Sequence, residues 1–321
     1  MKKSVKIIAA VAALTAAITA VSKYFCDFAM KKGNNGFQVK GGFRADKGTV
    51  TDEQQKVIDI LHNRRKKYKN WFLVEAENIN VMTNNGVKVH GLLVKAEERS
   101  HKYALLCHGY KDCADDMGYQ AYKFRKMGYN VIAVDGRGSG KTDGKYIGMG
   151  WLEHKDLCGF INYVLSQDTQ AQILLYGVSM GAAEVMMAAG EKLPANVKAI
   201  VEDCGYTSAW DEFAYSLRSI FHLPPVPLLN CISLYSKLVT GVGFKEASAV
   251  KALKTSKIPI LMIHGSDDDF VPFEMLDELY EAAAGEKEKL VVKGAKHIQS
   301  DIIAPELYWT TIKNFSDKYV K

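Results

Sequence analysis

Short uninterrupted apolar runs alternate with segments of helical periodicity from residue 103 to residue 319, and this alternation constrains the fold more than any other feature of the chain. Residues 103–107, 131–134, 173–176, 258–263 and 290–292 read as strands with no polar face, and 197–201 as a strand in which only Lys198 is polar. Helical patterns over 119–127, 151–165, 181–191, 273–284 and 304–319 fall between or after them. A strand without a polar face must be covered on both sides, so the pattern predicts an α/β protein with a mostly parallel sheet and helices on both faces. Upstream, two strand-like runs, 71–82 and 87–95, flank Asn84-Asn85-Gly86, which predicts an antiparallel hairpin leading into the sheet. Thr51 is placed to cap a helix through Gln54, Val57, Ile60 and Leu61 with a basic tail over 64–69. In parallel sheets the reactive groups collect beyond the carboxyl ends of the strands. Attention therefore falls on the residues after Cys107, Val134, Tyr176, Val201, Ile263 and Val292.

The N-terminus follows a different rule. Lys2, Lys3 and Lys6 precede fifteen residues, 7–21, in which only Thr15 and Thr19 are polar. Lys23 interrupts, and Tyr24, Phe25 and Phe28 extend an apolar-aromatic face. We read residues 1–30 as a single-pass signal anchor, with the N-terminus cytoplasmic and the body outside the cell membrane. A cleaved export signal, which would make the protein secreted, and a helix packed on the body are the alternatives. Residues 31–70 read as a basic linker and helix, and 71–321 as the main domain. Lys and Arg outnumber Asp and Glu by ten within residues 1–70, so the net charge of +6 leaves the rest of the chain acidic. A nucleic-acid binder carries its positive charge on the folded domain, so the charge favours a membrane surface and excludes nucleic acid as a partner. Six cysteines show no metal-binding or redox spacing and predict no disulfide framework.

The strand ends carry the chemistry. Gly177-Val178-Ser179-Met180-Gly181 joins a strand to a helix. Glycines on either side of the serine permit a sharp turn that leaves its hydroxyl exposed, the arrangement of an activated nucleophile. A serine needs a base to take its proton. Of the eight histidines only His108, His264 and His297 lie near strand ends. His108 and His264 are each followed by glycine and read as turn residues, which leaves His297 as the base. The base needs a carboxylate to fix its tautomer, and Asp267, Asp268 and Asp269 crowd one loop. Residue types alone do not choose among the three. No His or Cys stands at ligand spacing beside them, so no metal is predicted, and the proposed chemistry needs no cofactor. Amides of Met180 and of Tyr110, in the loop after Cys107, are the expected donors of an oxyanion hole. Gly136-Arg-Gly-Ser-Gly140-Lys141-Thr142 imitates a phosphate-binding loop, but Asp135 stands where that motif needs glycine and no helix follows, so no nucleotide is predicted.

The chain order Ser179, Asp268, His297, together with His108-Gly109, Asp135 to Gly140 and His264-Gly-Ser-Asp-Asp268-x-x-Val271-Pro272, resembles the α/β-hydrolase fold over roughly 70–321. More narrowly it is similar to membrane-anchored hydrolases of Gram-positive bacteria in the serine aminopeptidase and monoacylglycerol-lipase-like branch; Glu202-Asp203-Cys204-Gly-Tyr206 and the pair Glu153 and Asp156 also match that group. Thr142 departs from it, since many relatives carry serine there. The resemblance implies an eight-stranded sheet, a helical cap at about 207–257, and Asp268 as the acid of a Ser179-His297-Asp268 triad. It further implies hydrolysis of a carboxylic ester through an acyl-enzyme. Two rival readings are an aminopeptidase or amidase on short peptides, with Glu184 or Asp211 holding the substrate's ammonium, and a non-catalytic binding protein on the same fold. Trp210, Phe213, Phe221 and the run 223–229 give the cap an apolar character suited to an acyl group or to lipid.

Overall fold

The structure is a computed structural model and describes residues 2–34, 39–40, 43–44, 50–83 and 86–321. Eight strands form one sheet: β1 (Glu77–Met82), β2 (Lys88–Val94), β3 (Lys102–Cys107), β4 (Asn130–Val134), β5 (Gln172–Val178), β6 (Val197–Asp203), β7 (Ile260–Gly265) and β8 (Lys287–Val292). Their spatial order is β1-β2-β4-β3-β5-β6-β7-β8. β1 pairs antiparallel with β2, and β2 antiparallel with β4; every other neighbouring pair is parallel. The turn Asn84-Asn85 lies outside the described residues.

Both faces of the central strands are buried, as their apolar runs require. Leu105 and Cys107 of β3, with Ile173 and Leu175 of β5, pack against α4 (Glu153–Gln167), α5 (Met180–Ala188), α8 (Ala249–Leu253) and α9 (Glu274–Ala282). The alternate residues Ala104, Leu106, Leu174 and Tyr176 face α3 (Gly118–Lys126) and α11 (Pro305–Tyr319). Each fully buried Leu, Ile or Phe stabilises the fold by about 1.5–3 kcal/mol relative to an exposed one. A third apolar cluster lies over the carboxyl edge of the sheet. It joins α6 (Ala209–Ser219) and α7 (Leu228–Thr240) to Ile147, Met149 and the end of α1 (Lys2–Met30).

One predicted boundary is corrected. The run 71–82 does not begin as strand: α2 (Asp52–Glu75) continues through Trp71 and Phe72, and β1 starts at Glu77. The aromatic residues favour a strand locally, but tertiary packing decides. Phe72 is fully buried, and Trp71 meets Tyr122 of α3 edge-on at 5.3 Å. The capping of α2 follows expectation: the Thr51 hydroxyl accepts from the Gln54 amide, and the Gln54 side chain accepts from the Thr51 amide. α2 is joined to the body by Arg64, which makes a two-toothed contact with Asp301 at 2.8–2.9 Å.

Residues 4–30 of α1 form the one helix among those described that is long and apolar enough to cross a membrane. Its side chains from Ser4 to Val21 are exposed.

Candidate active site

The parallel register sets the loops side by side. Cys107 pairs with Val134 and Gly177, Val178 with Asp203, and Asp203 with Ile263. The residues that follow these strands therefore share one edge.

Ser179 stands between β5 and α5 with φ 56° and ψ −115°. A positive φ at a residue with a Cβ is strained and persists only when the surroundings hold it. Here the backbone on both sides is locked. A Cβ on Gly177 would lie 2.0 Å from the Gly181 carbonyl oxygen, and one on Gly181 would lie 2.2 Å from the Cys107 carbonyl oxygen. The Ser179 amide also donates to the Asp203 carbonyl at 2.8 Å. The turn thus carries the hydroxyl to the carboxyl edge of the sheet, where its Oγ lies 2.9 Å from His297 Nε2.

His297 sits between β8 and α10 (Ser300–Ile303). Its Nδ1 lies 2.7 Å from Asp268 Oδ2. The other carboxylate oxygen, Oδ1, accepts from the amides of Phe270 and Val271, each at 2.9 Å. Burial works to raise the pKa of Asp268, but the charge and hydrogen bond of His297 and the contact with His264 outweigh it and hold it below the usual carboxylate range. The structure thus brings Ser179, His297 and Asp268 into one chain of contacts. It leaves the neighbouring acids elsewhere: Asp267 accepts from the Ser266 hydroxyl at 2.6 Å, and Asp269 faces Lys296 at 3.4 Å.

The histidines read as turn residues have backbone roles. His108 Nε2 accepts from the Gly136 amide at 2.9 Å, which leaves Nδ1 to donate to the Gly109 carbonyl at 2.8 Å. His264 Nε2 donates to the Val271 carbonyl at 3.0 Å and lies 3.3 Å from Asp268. Burial disfavours a charge on His264, but Asp268 outweighs it and raises the pKa.

The segment resembling a phosphate loop wraps a carboxylate of its own. Asp135 accepts from the Ala114 and Lys141 amides at 2.7 and 2.9 Å, and a Cβ on Gly140 would overlap it at 2.1 Å. Thr142 closes this loop by accepting from the His90 amide and donating to the Asp135 carbonyl. A serine hydroxyl can make the same two bonds, so the departure at this position preserves the local geometry.

Tyr110 and Met180, the expected oxyanion donors, line the same narrow apolar pocket as Ser179. That pocket, about 20 Å3, is closed by Met149, Tyr206, Phe213, Phe270 and Val271, and Glu212 borders it. On its other side Ser179 opens to a cleft of about 500 Å3 lined by Arg64, Arg65, Lys111 and Asp112, among others. Of the two acids named for an ammonium site, neither faces these spaces. Glu184 is buried and accepts from the Cys107 thiol at 3.2 Å; burial, with Glu153 nearby, raises its pKa well above the usual range. Asp211 is bound at the start of α6 by the hydroxyls of Thr207 and Ser208. Glu212, one residue on, was not singled out by the sequence reading.

Three further carboxyls, Glu153, Glu202 and Asp203, are buried. Burial pushes Glu202 up to about 8, and Glu153 and Asp203 each up to about 7. A carboxyl kept neutral in the fold but free to ionise when unfolded stabilises fully below its unfolded pKa, about 4. That stability is lost as pH rises through 4 to 8. The melting temperature should therefore fall by more than about 3 °C between pH 5.5 and 8.5, and Glu202→Gln should flatten the slope. A flat or rising profile in the wild type, or an equal slope in the variant, counts against this. Glu202 is chosen because its Oε2 accepts from the Gly205 amide while Oε1 has no partner among the described residues, so an amide fits the neutral acid's place.

Comparison with known proteins agrees with this architecture. Residues 98–219 match the family described as serine aminopeptidase, S33. The uncharacterized protein YqkD of Bacillus subtilis is 24% identical over 314 residues, covering 97% of each chain. Human protein ABHD12B is 30% identical over 159 residues, 49% of this chain and 42% of that one. Among solved structures, the Pyrococcus furiosus esterase Pf2001 superposes with a TM-score of 0.63 at 22% identity, over 77% of this chain and 92% of that one. The acylaminoacyl peptidase of Pyrococcus horikoshii gives 0.59 at 17%, over 77% and 42%. These likenesses show that the chain has the α/β-hydrolase fold.

Proposed function

We propose that the protein is a serine hydrolase that cleaves a carboxylic ester of a short acid through an acyl-enzyme. The observation that carries this reading is the pair of contacts at His297, 2.9 Å to Ser179 and 2.7 Å to Asp268, at a strained turn. Ser179 attacks the ester carbonyl while His297 takes its proton, and Asp268 holds the histidine in the tautomer whose Nε2 is free. The Tyr110 and Met180 amides stabilise the negative oxygen of the tetrahedral intermediate. His297 returns the proton to the departing alcohol, then draws one from the water that releases the acid. The narrow pocket favours a small acyl group, and the larger cleft, lined by both apolar and charged side chains, suits the alcohol. Residues 71–321, with the cap at about 207–257, carry the chemistry. Residues 1–30 anchor the chain in the cell membrane with the catalytic domain outside.

The test is labelling of the full chain by a fluorophosphonate, with the modified peptide identified by mass, beside a series of p-nitrophenyl esters. Modification at Ser179 and faster turnover of acetate and butyrate than of octanoate are expected. A folded protein that neither labels nor hydrolyses any ester refutes the reading.

One observation favours the peptidase alternative. Glu212 borders the pocket that Ser179 lines, where a carboxylate can hold the ammonium of a substrate's N-terminal residue. In that case Glu212→Gln should lower aminoacyl-amide hydrolysis by about 10-fold or more while sparing p-nitrophenyl acetate. An equal change on both substrates removes the support for this reading.

A further inference from the structure

The N-terminal helix changes character within its length. The side chains of 4–21 are exposed, whereas Ser22, Cys26, Ala29 and Met30 are buried, a spacing of four, three and one that defines a single helix face. That face rests on the cap. Phe25 and Phe28 meet Phe221 edge-on at 5.4 and 5.8 Å, and the Ser236 hydroxyl of α7 lies 3.5 Å from the Met30 sulfur. The helix end is also bound by backbone and polar contacts. The Ile147 amide donates to the Met30 carbonyl at 2.7 Å, the Lys32 amide to the Lys145 carbonyl at 2.9 Å, and the Tyr146 hydroxyl to Asp27 at 2.8 Å.

Two further contacts reach the loop after β3. The last carbonyls of a helix have no partner within it and accept from elsewhere. The Ala29 carbonyl accepts from the Tyr110 hydroxyl, and the Asn34 carbonyl from the Lys111 ammonium. Tyr110 is the residue whose amide is assigned to the oxyanion hole. A connection for a tether would need none of this.

We infer that residues 22–34 are a docked part of the catalytic body, and that the Ala29 carbonyl positions the Tyr110 loop. The positioning half rests on the assignment of Ser179 and Tyr110 above; the docking half does not. The apolar helix and the active site then form one unit, so the site is held at a fixed orientation to the bilayer that the helix enters. Tyr110 thereby has a second role, as a positioning residue through its hydroxyl.

Two measurements on the full chain in mild detergent test this. A site-specific protease sequence inserted after residue 36 lets the helix be severed from the body. The severed helix should co-elute with the body in size exclusion and separate only in denaturant; separation without denaturant overturns the docking. Tyr110→Phe removes the hydroxyl and keeps the amide. It should lower kcat and the fluorophosphonate labelling rate by roughly 10-fold, with KM changed less than about 2-fold, because a loosened oxyanion donor acts on the transition state. Unchanged kcat and labelling overturn the positioning. A wild type that never labels overturns the positioning together with the Ser179 reading, while the severed-helix experiment still decides the docking.

Discussion

Ser179→Ala is expected to lower ester hydrolysis by at least about 10^3-fold while the fold survives. The chemical part of this expectation follows from the loss of the oxygen that lies 2.9 Å from His297 Nε2. Residual turnover would come from the oxyanion donors and from binding, with water attacking in place of the serine. The structural part needs a separate argument, because Ser179 also stands at the start of α5. Its side chain makes no capping bond to that helix, so removing the hydroxyl leaves the helix end as it was. Alanine bears the same Cβ as serine and meets the same strain at φ 56°. The melting temperature should therefore move by less than about 2 °C. Steady-state kinetics and a melting curve on one preparation separate the two parts. Loss of activity with loss of folding would leave Ser179 a structural role only, and activity within 10-fold of wild type would put the nucleophile elsewhere.

What could be read from the chain, and what could not, divides along physical lines. The central strands were legible because a strand buried on both faces has no polar alternation to obscure it, as in 173–176. The turn at Ser179 was legible because only glycine fits at 177 and 181. The beginning of β1 was not, because Trp71 and Phe72 favour a strand by type and become helical through contacts with α3, which no local window contains. Asp268 was selected by resemblance; three consecutive acids differ only in where the turn after β7 points each one. Glu212 was missed although its neighbour Asp211 was named. Ser208 capping α6 at Asp211 was the available signal, since a residue bound to the cap is turned away from the next position on the helix. The docked end of α1 was hidden by the stronger signal of the apolar run before it: hydropathy registers the length of a span and not the face that a body covers.

Asp268→Asn is expected to cost about 10^4-fold in kcat, a loss that arises from hydrogen-bond direction rather than from a missing contact. Asp268 Oδ1 accepts from two amides, Phe270 and Val271, at 2.9 Å each. An asparagine must keep its carbonyl oxygen there, because its NH2 cannot accept. The NH2 then faces His297 Nδ1, at the place of an oxygen now 2.7 Å away. Nδ1 must become the acceptor, the ring proton moves to Nε2, and Nε2 can no longer take the proton of Ser179. Asparagine is close in shape to aspartate, so the fold and substrate binding should be kept, with KM changed less than about 3-fold. The same substitution at the neighbouring acids distinguishes direction from charge. Asp267 and Asp269 each add a negative charge to this loop, but they face Ser266 and Lys296. Asp267→Asn and Asp269→Asn should stay within about 3-fold of wild type, since neither changes a bond to His297. A comparable loss at either neighbour would mean that the loop acts through its summed charge. An Asp268→Asn variant retaining a tenth of the wild-type rate would mean that the tautomer of His297 is fixed by another group.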